Sequence, residues 1–416
     1  MQFSDLGLSE TLTSALSERN YAAPTPIQEA TIPTVLERKD VWACAQTGSG
    51  KTAAFALPIL QRLLDIRPVD LRRPFALVIV PTRELATQVE EFFQLYSQNF
   101  SETLKIVTAI GGVSINPQMM ALRGGAHIII ATPGRLLELV EKNAVRLKAA
   151  SILVLDEADR LLELGFEDEL GRLIKLLSPR RQNLFFSATY PDEVKALAES
   201  ILNEPLQVGM DLKPVTPSEI VERVIEVDVE RRTRILRHLI EENVWSRVLV
   251  FAASSYATEH IAQKLLRLGI EAAPLHGKLS QGARTEVLQG FKDSEFQVLV
   301  ATDLVARGID IVQMPVVVNY DLPRSPAAYM HRIGRTGRAG EGGLAISFVS
   351  AETNAHLKLI EKKIERTLPR EQLEAFVPNR VVVPEKPKIG GIKGKRKSKK
   401  DKLREAAAKA AEDLKD

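Results

Sequence analysis

A chain of 416 residues with 45% apolar and 26% charged side chains has the balance of globular protein and room for two ordinary domains. It carries no apolar run near the ~20 residues that cross a bilayer, and its one cysteine, Cys44, excludes an internal disulfide. The net charge of +3 is uneven: residues 386–404 alone carry +9, so the rest sums to −6, and a uniformly basic coat for nucleic acid is excluded.

Residues 1–10 lack the basic and apolar regions of a signal peptide, so a cytoplasmic protein is expected. Short apolar runs followed by turn residues and amphipathic segments then recur at 41–45, 76–80, 127–131, 152–155 and 183–187, and read as buried parallel strands. Residues 206–219 carry Pro214 and Pro217 without apolar periodicity and read as a linker, with its core at 209–219. The rhythm resumes at 247–251, 297–301, 316–320 and 344–349, with helical stretches such as 256–268 and 279–291 between. This alternation predicts an α/β protein of two tandem doubly wound parallel-sheet domains, 1–208 and 220–368. From 369 to 416 the pattern fades into Pro378, Pro384, Pro387, Gly390-Gly391 and a lysine run, a basic tail expected to be largely disordered.

Three constellations carry chemistry. Ala45-Gln46-Thr47-Gly48-Ser49-Gly50-Lys51-Thr52 follows the first strand and opens a helical stretch, where backbone N–H groups can wrap phosphates. Lys51 would reach the β- and γ-phosphates of ATP and Thr52 would offer its hydroxyl to Mg²⁺, although Ala45 replaces the first glycine of a strict phosphate-loop pattern. Asp156-Glu157-Ala158-Asp159 lies just past the strand at 152–155, so Asp156 can hold Mg²⁺ through water while Glu157 orients and deprotonates the attacking water. Alone, that pair could equally be a solvated turn; the phosphate loop in the same domain favours catalysis. Arg335 and Arg338 stand three apart among glycines, in the manner of arginines that stabilise a transferring phosphoryl group.

Together these segments resemble motifs I, II and VI of the DEAD-box RNA helicases, and the remaining motifs follow in order. Pro24-Thr25-Pro26-Ile27-Gln28, with Phe3 upstream, is similar to the Q motif; the resemblance implies adenine recognition by Gln28 and stacking by Phe3, although a capping Gln and a packed Phe are the plainer reading. Asn20 stands where the family has glycine. Pro81-Thr82-Arg83-Glu84-Leu85-Ala86, Gly111-Gly112 and Thr132-Pro133-Gly134-Arg135 are similar to RNA-contacting motifs, although Thr82 and Thr132 could also be plain helix caps. Ser187-Ala188-Thr189 resembles the motif that couples hydrolysis to unwinding. Ala301-Thr302-Asp303 with Ala306-Arg307-Gly308-Ile309-Asp310 resembles motif V, and His276-Gly277 with Gln281 and Arg284 the element before it.

The resemblance spans about residues 3–350 and implies RecA-like domains, ATP and Mg²⁺ as cofactors, and closure of the two domains on RNA with local unwinding of short duplexes. It assigns Asp310 to the ribose, Gln281, Arg307 and His331 to the attacking water, and His276, Gly277 and Thr302 to RNA. Binding to single-stranded or short duplex RNA is expected to be independent of sequence, with ribosomal RNA precursors or RNA-decay intermediates as targets, and no membrane partner. An ATP-gated RNA clamp would carry the same motifs, and a DNA-directed motor is disfavoured by the Q motif and Asp156-Glu157-Ala158-Asp159 together. The short basic tail, without an added RNA-binding domain, resembles the bacterial RhlE-type subgroup.

Overall fold

The computed structural model describes residues 1–19, 21–45, 48–66, 71, 73–209, 220–303, 314–337 and 342–378. Asn20, Gln46, Thr47, Arg307, Asp310 and Arg338, most of the linker and the basic tail beyond 378 lie outside the described residues.

Two seven-stranded sheets form the frame, and every strand pairing in them is parallel. The first contains β1 (Val41–Cys44), β2 (Ala76–Ile79), β3 (Ile106–Ala109), β4 (Ile128–Ala131), β5 (Ile152–Leu155), β6 (Gln182–Ser187) and β7 (Leu206–Val208), in the order β3-β4-β2-β5-β6-β1-β7. The second contains β8 (Ile220–Glu226), β9 (Val248–Phe251), β10 (Ala272–Leu275), β11 (Val298–Ala301), β12 (Val316–Asn319), β13 (Gly343–Val349) and β14 (Arg370–Glu371), in the order β10-β11-β9-β12-β13-β8-β14.

Central strands are apolar at every position because both faces are covered. In β2, Ala76 and Val78 enter the core on one face, and Leu77 and Ile79 the core on the other. The crossover helices that cover those faces return each strand in the same direction, so all the loops that follow strands collect along one edge of each sheet. Among the described residues no helix is long and apolar enough to cross a membrane.

The sheets are wider than the apolar runs predict. Leu206–Val208, placed in the linker from sequence, pairs with β1 as an edge strand, its side chains mostly exposed and so without an apolar signal. Edge strand β10 contains Pro274 and pairs only with β11; its outer side makes no ladder bond, so the missing N–H costs little. The second domain also continues past 368: the Val224 N–H donates to the Pro369 carbonyl at 3.0 Å, β14 pairs with β8, and Leu373 and Phe376 pack on the core.

Candidate functional site

Strands β5, β6 and β1 are neighbours, so the loops after them converge. Register fixes this closely: Cys44 pairs with Ser187, and the Ala45 N–H donates to the Ser187 carbonyl at 3.0 Å. Lys51 opens the helix Lys51–Ile66, is 7% exposed, and donates from Nζ to the Ala45 carbonyl at 2.7 Å, which arches the loop over its own strand end.

The loop is held from outside by the N-terminal end of the helix Pro26–Leu36 and its cap, Thr25. Gln28 Nε2 donates to the Gly50 carbonyl at 3.1 Å, its Oε1 accepts from the Thr25 N–H at 3.0 Å, and Thr25 Oγ1 donates to the Ser49 carbonyl at 2.8 Å. Gly50, at φ +90°, permits this approach, since a Cβ there would fall 2.2 Å from Gln28 Nε2. Gln28 is thus a brace for the phosphate loop, only 1% exposed, rather than an amide open to a base. Phe3 requires a similar correction: it is 5% exposed in the core, with its ring centroid 6.4 Å from that of Tyr21. Tyr21, 40% exposed, is the aromatic with surface to offer, while Phe3 follows the plainer reading of a packed side chain.

Beyond β5, Asp156 is 2% exposed; burial pushes its carboxyl up to about 6, with Lys51 pulling the other way and Glu157 adding to the rise. Its Oδ1 accepts from the Glu157 N–H at 2.9 Å. Glu157 sits at φ 49°, ψ 52°, a left-handed conformation that costs a non-glycine residue on the order of 1 kcal/mol and turns the chain sharply into the helix Ala158–Glu163. Next to it Asp159 Oδ2 accepts from Thr189 Oγ1 at 2.8 Å, and Ser187 Oγ donates to the Thr189 carbonyl at 2.8 Å. The loop after β6 is therefore tied to the acidic loop after β5 through Asp159, a role its sequence neighbours overshadowed.

Among the described residues no group of three or more His, Cys, Asp or Glu side chains could hold a metal ion. Asp156 and Thr52 nevertheless suit Mg²⁺. They are hard oxygen donors beside a phosphate loop, and Mg²⁺ is ordinarily held by one or two protein oxygens together with substrate phosphates. A buried carboxylate with a raised pKa is also relieved by a cation.

Further along the first sheet's edge, Thr82 caps the helix Arg83–Ser97, its hydroxyl accepting from the Leu85 N–H at 3.2 Å, and Thr132 precedes the helix Pro133–Glu141. Arg135, expected to touch RNA, is instead engaged by protein: it is 8% exposed and donates to the carbonyls of Ile110 and Val113 at 2.7 and 2.8 Å. It shapes the loop of Gly112, which at φ +74° lies so near Arg83 that a Cβ would fall 1.9 Å from Nη2. Around Gly134, by contrast, a Cβ would meet no protein atom within 4 Å.

In the second domain His276 is 1% exposed, with Nε2 3.0 Å from Glu259 Oε1 but no hydrogen bond from either ring nitrogen, so burial leaves its ring no surface to offer RNA. Gly277 accepts from Arg284 Nη2 at 3.4 Å. Gln281 opens the helix Gln281–Lys292, and His331 lies on the helix Pro326–Ile333, followed by Arg335, 4% exposed. Arg332, overlooked in the sequence, donates to both oxygens of Asp303 at 2.6 and 2.8 Å and to Asn319 Oδ1 at 3.0 Å, pinning Thr302-Asp303 to that helix. Arg284 and Glu84, both at most 7% exposed, form a salt bridge that joins the two domains.

Comparison with known proteins bears on this arrangement. The family model described as DEAD/DEAH box helicase matches residues 25–197, and that described as helicase conserved C-terminal domain matches 231–340. The chain is 41% identical over 350 residues to the ATP-dependent rRNA helicase RRP3 of Gibberella zeae, covering 84% of this chain and 71% of that protein. It is 38% identical over 368 residues to the DEAD-box ATP-dependent RNA helicase CshA of Geobacillus kaustophilus, covering 88% and 78%. The structure of S. cerevisiae Dbp5 bound to RNA and ADP BeF3 superposes with a TM-score of 0.80 at 31% identity, covering 89% of this chain and 95% of that one.

Proposed function

The chain belongs to the DEAD-box family of RNA helicases, and from that premise we propose that it hydrolyses ATP to ADP and phosphate while its two domains close on RNA and locally separate short duplexes. The observation that carries this reading is the buried Asp156–Glu157 pair after β5 set against Lys51 after β1, across the end of β6.

Lys51 leaves the Ala45 carbonyl for the β- and γ-phosphates, with Gly48, Ser49 and Gly50, and Gln46 and Thr47 before them, lining the phosphate path. Thr52 and Asp156 would hold Mg²⁺, which would supply charge neutralisation of the phosphates. Glu157, aimed by its left-handed backbone, takes the proton of the attacking water, and Gln281, Arg307 and His331 position that water. Arg335 and Arg338 stabilise the charge that develops on the transferring phosphoryl group, and they meet it only when the domains close. Asp310 contacts the ribose. Tyr21, backed by Phe3, stacks on the adenine, and Gln28 braces the loop at Gly50.

RNA backbone phosphates run along the strand ends of both domains. Thr82, Arg83, Thr132 and the backbone at Gly112 and at the open Gly134 serve the first, and Gly277 and Thr302 the second. Arg135 and His276 position these contacts. One relative is named an rRNA helicase, which supports ribosomal RNA as one target class. Residues 386–404 act as a sequence-independent tether for RNA.

The test is phosphate release and strand separation measured together on a short duplex with a single-stranded extension. RNA-stimulated turnover, with unwinding that needs ATP and repeats after hydrolysis, is expected. ATPase without RNA stimulation, or a protein that stays on RNA through many turnovers, would reject the helicase cycle.

A further inference from the structure

The first sheet ends at β3, which pairs on one side with β4 and presents its other side as an edge. Along a strand the backbone N–H and C=O groups of successive residues point to opposite sides. The carbonyls of Lys105 and Ala109 accept from the β4 side, from the N–H groups of His127 and Thr132. Ile110 therefore turns its own N–H and C=O toward the edge. It is also the residue from which Gly111 and Gly112 depart.

One side chain closes that edge. Gln118 Oε1 accepts from the Ile110 N–H at 3.1 Å, and Gln118 Nε2 donates to the Ile110 carbonyl at 3.0 Å. These are the two bonds that a neighbouring strand would make, supplied by one amide that both donates and accepts. Gln118 is 9% exposed and lies on the helix Ile115–Ala121, whose Ile115 and Met119 pack on the core. At positions three and four apart these three residues share a helix face, so the amide is on the apolar side. Burial of a polar group there is unfavourable unless it is bonded, so packing alone does not account for a glutamine.

Arg135 holds the same carbonyl of Ile110 and that of Val113 at the other end of the turn. Gln118 alone of the two also holds the Ile110 N–H. The start of the Gly111-Gly112 turn is thus fixed by side chains of two different helices, and Gly112 lies directly against the Arg83 guanidinium.

We propose that Gln118 is a positioning residue for RNA: standing in for a strand at Ile110, it sets where Gly112 and Arg83 meet the RNA backbone, an inference that rests on the assignment of that loop to RNA. Without the amide the turn keeps its Val113 end and loses the register of its Ile110 end. Arg83 then loses its alignment with one phosphate.

The test is anisotropy of a labelled single-stranded RNA titrated with the full chain and a non-hydrolysable ATP analogue at several salt concentrations. Gln118→Met removes both bonds at nearly constant volume. Gln118→Asn keeps the amide but is one methylene too short to reach Ile110, and it serves if the methionine chain fails to fold. Neither changes the charge. Each should weaken RNA about tenfold and make the slope of log affinity against log salt shallower by roughly 0.7, the share of one phosphate on a single strand. Binding of the analogue without RNA should stay within about twofold. A merely structural role would lower the denaturation midpoint and leave the salt slope alone. Wild-type affinity in a folded variant, or weaker binding with the wild-type slope, overturns the proposal. Gly112→Ala measured beside them separates two failures. If it weakens RNA and the Gln118 variants do not, Gln118 has no positioning role; if none of them weakens RNA, the loop is not an RNA contact and the proposal falls with it.

Discussion

Lys51 and Glu157 lie on loops either side of the end of β6 yet act at different stages, and their substitution should separate binding from turnover. Lys51 contacts phosphates in the ground state, so Lys51→Ala should raise the dissociation constant for a fluorescent ATP analogue by about tenfold or more. Glu157 matters only as the water is deprotonated; Glu157→Gln should keep affinity within about threefold and lower kcat by about a hundredfold or more. Near-normal phosphate release from the glutamine variant would remove Glu157 from its role. Asp156 gives a pH signature. Its folded pKa is raised from 3.8 to about 6 by burial, so folding takes up a proton and the ionised group costs stability as pH rises through that window. Without nucleotide, Asp156→Asn should gain on the wild type between about pH 4 and pH 6, by at most about 2–3 kcal/mol, and no further above it. Denaturant melts of both proteins at several pH values read this directly; a difference that does not change with pH would mean that Asp156 is not desolvated.

The loop of Gly111 and Gly112 is an element whose shape comes from a residue on another helix. Arg135 holds its Ile110 and Val113 carbonyls, and the absent side chain of Gly112 leaves room for Arg83. Gly112→Ala should strain the φ +74° backbone and displace the Arg83 guanidinium, lowering RNA affinity by about tenfold while ATP binding without RNA is kept. Arg135→Lys keeps the charge but loses the fork that reaches two carbonyls, and the same loss of RNA affinity is expected. Should the lysine variant bind RNA normally, Arg135 would be acting as a charge toward phosphate rather than as the brace of this loop.

At the scale of the whole molecule, the salt bridge between Glu84 and Arg284 joins the helix after β2 to the helix after β10, so it exists only with the domains together. Removing either partner leaves a charge that closure would bury alone, a cost of several kcal/mol in a static interior, which opening of the domains can reduce. Glu84→Ala and Arg284→Ala should each weaken RNA binding in the presence of a non-hydrolysable ATP analogue by about tenfold to a hundredfold. Binding of ADP should be unchanged. The double variant should be no worse than either single one, because both remove the same interaction. Additive losses would show that the residues act separately, and equal RNA affinity with and without the analogue in the wild type would contradict the closing cleft itself.

The sequence by itself determined the fold class, most strands and the family, because each is written in contiguous residues: apolar runs of strand length, a glycine-rich turn ending in Lys51-Thr52, and Asp156-Glu157 directly after an apolar strand. Tertiary structure decided what each polar side chain is free to do. Gln28 braces Gly50 across 22 residues, Arg135 holds Ile110 across 25, and Arg284 reaches Glu84 across 200. Phe3 and His276 are withdrawn from any ligand by burial alone. A side chain's residue type states which bonds it can make, but a hydrogen-bonding group takes whichever partner folding brings within about 3 Å, and that partner's place in the chain carries no local signal.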